Sequence, residues 1–217
     1  RQHDSRQAHR SLEFLLRHTL ENLNIDIMFG YPGQTIQSLE KDLTIALSYN
    51  PKHISIYSLT IEPKTAFYRR SFWKSWGSVN EAAISEMYEW IVEFLASAGY
   101  PQYEVSNFCQ VGWESSQNLV YWQNENYLGL GLGAHSHLAP YRWGNHRRMV
   151  EYRQAIREKR RPSDFLEIKD AIMERDEDLM LGLRLKRGLD LAGFAAKHQI
   201  DFPRDWMAKI ELFAQNG

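Results

Sequence analysis

A carboxylate set inside an apolar strand is the first place to look for chemistry, and Asp26 in Leu23-Asn24-Ile25-Asp26-Ile27-Met28-Phe29 is such a residue. In a barrel strand, a side chain in the C-terminal half points into the mouth where ligands bind. An unpaired buried carboxylate is costly, so Asp26 needs a partner. That partner is either a ligand group, such as a hydroxyl, or a neighbouring backbone amide. His135 and His137 in Gly133-Ala134-His135-Ser136-His137 are spaced to share one strand face. Each reads as a ligand or as a hydrogen-bonded structural residue. Cys109 is the chain's one cysteine. It cannot form an internal disulfide, which fits a reducing cytosol. Nor can it build an iron–sulfur cluster, which takes several thiolates. It reads as a small core residue. The loop Gly30-Tyr31-Pro32-Gly33-Gln34-Thr35 is a strand-to-helix turn without the glycine–lysine spacing that cradles phosphate. No GxSxG elbow or other nucleophile–base pair is legible. Glu62, Glu104 and Glu114 stand as isolated carboxylates without an assigned role.

These residues need elements to position them. Residues 4–20 place Ala8, Leu12, Leu15, Leu16 and Leu20 on one helical face, capped by Asp4 or Ser5. A strand over 23–29 follows, then a helix capped by Thr35 with Ile36, Leu39, Leu43, Ala46 and Leu47 inward, then a strand over 53–61. Helix, strand, helix, strand at this spacing predicts a parallel α/β sheet. Two such strands cannot close a barrel, so further strands are expected N-terminal to the sequence, whose first residue is Arg1 rather than Met. Residues 64–80 are irregular and aromatic. Asn80 caps a long helix with Ala83, Ile84, Met87, Tyr88, Ile91, Phe94 and Leu95 on its apolar face, stopped by Gly99. Residues 103–108 read as a short strand. Residues 127–138 alternate glycine with apolar side chains, the pattern of a strand and tight turn where another backbone or a flat ligand comes close. Short helices over 168–185, 190–198 and 204–215 read as a small α-rich appendage.

Composition bounds the function classes. Of 217 residues, 43% are hydrophobic and 13% aromatic, as in a folded globular chain. Lys+Arg 26 against Asp+Glu 27 gives no global field towards nucleic acid or an anionic membrane. No apolar run approaches the ~20 residues of a membrane helix, and no leader-like segment opens the sequence. A basic cluster of Arg142, Arg147, Arg148, Arg153, Arg157, Lys159, Arg160 and Arg161 is either a solvated helix face or a docking surface for ligand carboxylates or an acidic partner.

Several blocks in fixed order resemble one family. They are RQHDS at 1–5, NIDIMFGYPGQT at 24–35, HISIYSLTIEPKTAFY at 53–68, YEVSNF at 103–108, ESSQNLVYWQNENYLGLGLGAHS at 114–136 and LMLGLRLKRGLDLAGF at 179–194. The family is the oxygen-independent coproporphyrinogen III oxidase-like radical-SAM proteins, including their HemW-type haem-chaperone branch. The resemblance implies an α/β fold: the C-terminal part of a partial (β/α)6 radical-SAM barrel over residues 1–77, an α+β extension over 78–160, and an α-rich C-terminal domain over 161–217. It implies S-adenosylmethionine and a 4Fe-4S cluster in the full-length family, with the family's CxxxCxxC segment lying before Arg1, so that this chain alone would not bind the cluster. Arg1 matches the family's arginine and Asp26 its strand aspartate, both contacts for S-adenosylmethionine. The first suits a carboxylate, the second a hydroxyl or ammonium group.

The haem chaperones carry an HNxxYW segment associated with haem. Here Asn118, Tyr121 and Trp122 match it, and Gln117 stands where the family has histidine. A glutamine amide is a poor iron ligand beside imidazole. Tyr121 and Trp122 are expected either to stack on a porphyrin or to pack in the core. His135, which matches a family histidine, or His137 would then supply an axial nitrogen in place of Gln117. Three functions follow: a cytoplasmic haem chaperone that passes haem to an acceptor protein, a coproporphyrinogen III dehydrogenase of porphyrin synthesis, or an inactive scaffold. The chaperone branch is favoured by the QNLVYW block and the spacing within 53–68. Because the strand at 23–29 presents an unpaired edge, the 217-residue chain is expected to self-associate. Size-exclusion chromatography checks this, and a monodisperse monomer with a sharp thermal transition counts against it.

Overall fold

Strand alternation decides how the N-terminal half is built. In the computed structural model, which describes residues 4–18, 20–62, 65, 68, 81–202 and 204–216, β1 (Asn24–Phe29) pairs in parallel with β2 (His53–Ser58). Ile25 lies opposite Ile54 and Ile27 opposite Ile56, which sets the branched side chains of both strands on one face. The second and third helices of the chain cover that face. The first helix, α1 (Ser5–Arg17), is fastened by a reciprocal cap between Asp4 and Gln7. Of its apolar stripe Leu12 and Leu15 are half-buried and Leu16 is 42% exposed, so none of the face expected inward is fully buried. Helix α2 (Ile36–Leu47) is capped by Thr35 and buries Leu39, Leu43 and Ala46 as expected. Helix α3 (Glu81–Ser97) buries Met87, Ile91 and Leu95 in the same core as Phe29, Ile54, Ile56 and Phe108. Gly99 ends it with φ +87, a left-handed turn that suits glycine. Asn80, its expected cap, and most of the aromatic segment before it lie outside the described residues.

The strand expected over 103–108 is a tight hairpin, β3 (Gln102–Glu104) and β4 (Asn107–Cys109). The sheet order is β1-β2-β4-β3, with β4 antiparallel to β2, so the sheet is mixed rather than wholly parallel. Strand β1 forms its edge among the described residues. The strand after α2 also stops at Ser58, three residues short of the expected end.

Contacts divide the chain into two compact units, residues 1–115 and 116–217. In the first, α3 shares the core of β1 and β2. In the second unit, α4 (Ser116–Trp122) leads to an antiparallel sheet of β5 (His135–Leu138), β6 (Tyr141–Asn145) and β7 (Ser163–Ile168), with α5 (Met149–Arg157) between β6 and β7. Strand β7 is absent from the sequence expectation of an α-rich appendage, because its exposed, charged residues give little apolar pattern. The glycine-rich run does bring backbone close to backbone: a Cβ on Gly129 would lie 2.0 Å from the carbonyl oxygen of His135. Helices α6 (Ala171–Gly182), α7 (Leu191–His198) and α8 (Arg204–Asn216) complete the chain.

Of the buried hydrophobic residues described, Ala155, Leu185 and Phe194 alone lie in the second unit, so polar ties take a larger share there. Asp178 gathers the Asn124 amide at 2.7 Å, Lys197 at 2.6 Å and His198 at 2.7 Å. Burial works to raise its pKa, but these three hydrogen bonds outweigh it and hold the carboxyl below its usual range. Glu177 receives Arg142 and also Lys169 at 3.1 Å, the latter with its side chain fully buried. Arg142 thus belongs to a structural ion network. By contrast Arg147, Arg148, Arg153, Arg157, Lys159, Arg160 and Arg161 are exposed, as a solvated face would be. Removing one partner of a buried pair leaves uncompensated charge. Glu177→Ala is therefore expected to destabilise the second unit by about 3 kcal/mol, with Glu177→Gln costing less. Urea denaturation followed by fluorescence checks both.

Candidate functional sites

The two faces of the first sheet differ in kind. Opposite the helix-packed face, the register stacks Asn24 on His53, Asp26 on Ser55 and Met28 on Tyr57. It continues from His53 to Cys109 and from Ser55 to Asn107, which pairs with Glu104. A polar ladder thus crosses the sheet. The Asn24 amide donates to Asp26 Oδ1 at 2.8 Å, so its oxygen faces His53 Nδ1 at 2.7 Å and the Ser55 hydroxyl at 3.3 Å. An amide oxygen only accepts, which places the imidazole proton on Nδ1. Nε2 then accepts from the Tyr103 hydroxyl at 2.9 Å, which in turn receives the Ser115 amide N–H at 3.3 Å. Deeper in the sheet, Glu104 is fully buried and takes the Asn107 side chain and the Ser106 N–H at 2.9 Å.

Asp26 itself is exposed, its carboxylate directed away from the core. It is not the buried aspartate that its apolar sequence neighbours suggested, since those neighbours face the other way. This placement suits a contact to a ligand hydroxyl or ammonium group. Arg1, the other candidate for that ligand, lies outside the described residues. Of the ladder's remaining members, Glu104 was named from sequence only as an isolated carboxylate without a role, and Asn24, His53, Ser55, Tyr103 and Asn107 were not singled out. A signal was present: polar residues alternate with isoleucine in both Asn24-Ile25-Asp26-Ile27 and His53-Ile54-Ser55-Ile56.

The residues present do not fit an iron–sulfur cluster. Among the described residues no group of three or more His, Cys, Asp or Glu side chains is placed to hold a metal ion. Cys109 is buried, and burial, with Glu114 nearby, pushes its thiol up to about 11, the opposite of a ligating thiolate.

The second candidate site surrounds α4. Gln117 and Tyr121, four residues apart, share a helical face, and Gln117 Nε2 donates to the Tyr121 hydroxyl at 3.1 Å. Tyr121 meets Tyr127 edge-on at 4.8 Å, and Tyr127 meets His137 at 6.1 Å. Trp122 lies about 100° further round the helix. It carries the Arg184 guanidinium 4.3 Å above its ring and lines a cleft of about 560 Å³ together with Leu185, Arg187, Leu189, Phe194 and Lys197. The QNLVYW block is thus split: Gln117 and Tyr121 join one aromatic run, Trp122 a different cleft. Asn118 is half-buried.

The two histidines also differ. His135 is exposed, its ring 5.4 Å from Phe165. His137 is 2% exposed, and its Nδ1–H donates to the Glu125 carbonyl at 3.2 Å. Its Nε2 is buried without a partner. That lone pair has the chemistry of a ligand, but its burial shuts out a porphyrin, so His135 is the accessible imidazole.

Burial lowers the pKa of His53, against the pull of Asp26, and lowers that of His137, with Lys169 adding to it. The unfolded chain therefore binds protons that the folded chain refuses. Stability from these groups is complete above about pH 6.5 and is lost as pH falls below that value. The thermal midpoint is expected to drop by a few degrees between pH 7.5 and 5.5, on the scale of ~2–4 °C per kcal/mol for a chain this size. Calorimetry checks this, and the combined His53→Gln and His137→Gln variant is expected to have a flatter profile over that interval.

No protein-family model matches the chain. It is 36% identical over 200 residues to the haem chaperone HemW of Bacillus subtilis (strain 168), covering 91% of this chain and 52% of that protein. It is likewise 36% identical over 217 residues to HemW of Lactococcus lactis subsp. lactis (strain IL1403), covering 99% of this chain and 56% of the relative. The fold matches the solved structure of the radical-SAM enzyme coproporphyrinogen III oxidase (HemN) from Escherichia coli, with a TM-score of 0.72 at 16% identity, over 99% of this chain and 53% of that one. The chain spans about half the length of the curated relatives it matches. With sequence likeness along nearly all of its residues and the HemN-like α/β fold, the chain belongs to the HemW/HemN-like radical-SAM family.

Proposed function

We propose that this chain is the haem-handling part of a haem chaperone, binding haem for delivery to an acceptor protein. The observation that supports this best is likeness to proteins named haem chaperones over 91% to 99% of the chain. On this reading α4 and the strand after it supply the haem contacts. His135 would give a nitrogen to the iron, Tyr121 would offer aromatic surface, and Gln117 and Asn118 polar contacts to the porphyrin rim, while Trp122 would offer aromatic surface only in the separate cleft it lines. Gln117 cannot replace imidazole at iron, and the exposed ring of His135 is the available donor. Haem supplies iron and a flat apolar macrocycle when bound; the protein's part is to seat it.

Asp26, with Arg1, is proposed to contact S-adenosylmethionine, whose ammonium and hydroxyl groups suit an exposed carboxylate. The single cysteine of this chain cannot supply the several thiolates of a cluster, so the contribution proposed for these residues is a contact to S-adenosylmethionine. A cytoplasmic location forms part of the reading, and the single buried thiol of Cys109 is consistent with it.

A second reading, coproporphyrinogen III dehydrogenase, draws on the fold shared with HemN. Titrating the chain with ferric haem and assaying coproporphyrinogen turnover in parallel separates the two readings. A saturable Soret shift without turnover is expected, weakened about tenfold or more by His135→Ala. Turnover would favour the enzyme, and neither signal would favour an inactive scaffold.

A further inference from the structure

We infer that Asn24, His53 and Tyr103 are positioning residues that aim the Asp26 carboxylate at a ligand over the polar face of the first sheet. This rests on the reading of Asp26 as a contact for S-adenosylmethionine. Its starting point is a mismatch between exposure and order. Asn24 and Asp26 are both exposed, where water could satisfy each of them separately. Yet Asn24 is held from behind by a histidine that is 6% exposed, and that histidine is held by a tyrosine from a third strand.

The direction of each hydrogen bond is fixed by its neighbours. The Ser115 N–H donates to the Tyr103 oxygen, and the Tyr103 O–H donates to His53 Nε2. His53 Nδ1–H donates to Asn24 Oδ1, and Asn24 Nδ2–H to Asp26 Oδ1. Every donor points towards Asp26, and hydrogen bonds aligned in this way polarise one another. The Tyr103 ring meets the imidazole at 5.6 Å and 63°, which restrains its rotation as well as its tautomer. Ser55 supplies a further donor to the same Asn24 oxygen, so the amide cannot flip without losing two bonds. The outcome is a carboxylate with one oxygen oriented by protein, while the other makes no hydrogen bond to any described residue.

The amide at position 24 receives from His53 and gives to Asp26 at once, through two different atoms. Ordering the acceptor in advance removes that cost from binding. A ligand with an ammonium group or a hydroxyl would meet a carboxylate already set.

The test uses the full 217-residue chain. In nitrogen-15 NMR, His53 should carry its proton on Nδ1; a proton on Nε2 would show the relay running the wrong way and overturn the inference. Calorimetric titration with S-adenosylmethionine follows. Asn24→Ala, an exposed and charge-neutral change, is expected to weaken binding about tenfold, the scale of a hydrogen bond to a charged group. His53→Leu should do the same, while His53→Asn, which retains a donor towards Asn24, should recover most of the loss. If Asp26→Ala weakens binding but Asn24→Ala and His53→Leu do not, the positioning role is wrong and the contact reading stands. If Asp26→Ala leaves binding unchanged, or the chain does not bind the ligand, the contact reading fails and the inference falls with it.

Discussion

Everything placed on the first sheet depends on the register of one parallel pair, β1 with β2. Because side chains alternate, the match of Ile25 to Ile54 and Ile27 to Ile56 obliges Asn24, Asp26, His53 and Ser55 to share the other face. A slip of β1 by one residue would drive Asp26 into the helix-packed core and Ile25 and Ile27 out of it. Burial of each large apolar side chain contributes roughly 1.5–3 kcal/mol, so the core face fixes the register and the polar face follows without needing stability of its own. This explains how Asp26 can be exposed at a site without weakening the fold. Glu104 differs, since full burial obliges it to be held by Asn107 and the Ser106 amide.

The second unit solves the same problem with less apolar surface. Its sheet is antiparallel and much of one face is open, with Leu166 60% and Ile168 62% exposed. Two adjacent carboxylates on α6 supply order that hydrophobic packing supplies elsewhere. Glu177 fixes β6 through Arg142, and Asp178 fixes α7 through Lys197 and His198. This has a consequence for α4. Asn124, two residues beyond the helix, is bonded to Asp178, so the end carrying Tyr121 and Trp122 is anchored to α6. Helical rotation then turns the two aromatics to different surroundings.

What could be read from the chain followed periodicity and stopped where periodicity stops. Leu39, Leu43, Met87, Ile91 and Leu95 were recognisable as core because their spacing is helical and their type unambiguous. The β3–β4 hairpin was not, since strands of three residues are too short to show alternation. Strand β7 was hidden by Asp164 and Glu167, and its apolar Phe165 and Leu166 are in any case substantially exposed. The apolar stripe of α1 was legible but only partly buried, since amphipathic pattern states what a helix could bury and not how much of it is covered: Leu12 and Leu15 are half-buried and Leu16 is exposed. Asp26 was visible as an anomaly. His53 and Tyr103 were not, because their roles arise from contacts across 29 and 50 residues of sequence.

The ladder also bears on what kind of chemistry these residues support. Cys109 stands opposite His53 in the sheet, and a thiol beside an imidazole invites a metal or redox reading. The protonation states argue against it. Both nitrogens of His53 are engaged in hydrogen bonds, one as donor and one as acceptor, so no lone pair remains for a metal. The thiol of Cys109 is raised by burial and by the charge of Glu114, so it remains protonated at neutral pH. A thiolate–imidazole pair would need the reverse, a depressed thiol beside a cationic ring. Here burial lowers the imidazole and raises the thiol, keeping both neutral in the folded chain. The exposed carboxylate on this face among the described residues is Asp26, and a carboxylate backed by neutral hydrogen-bond donors suits the ligand contact proposed for it.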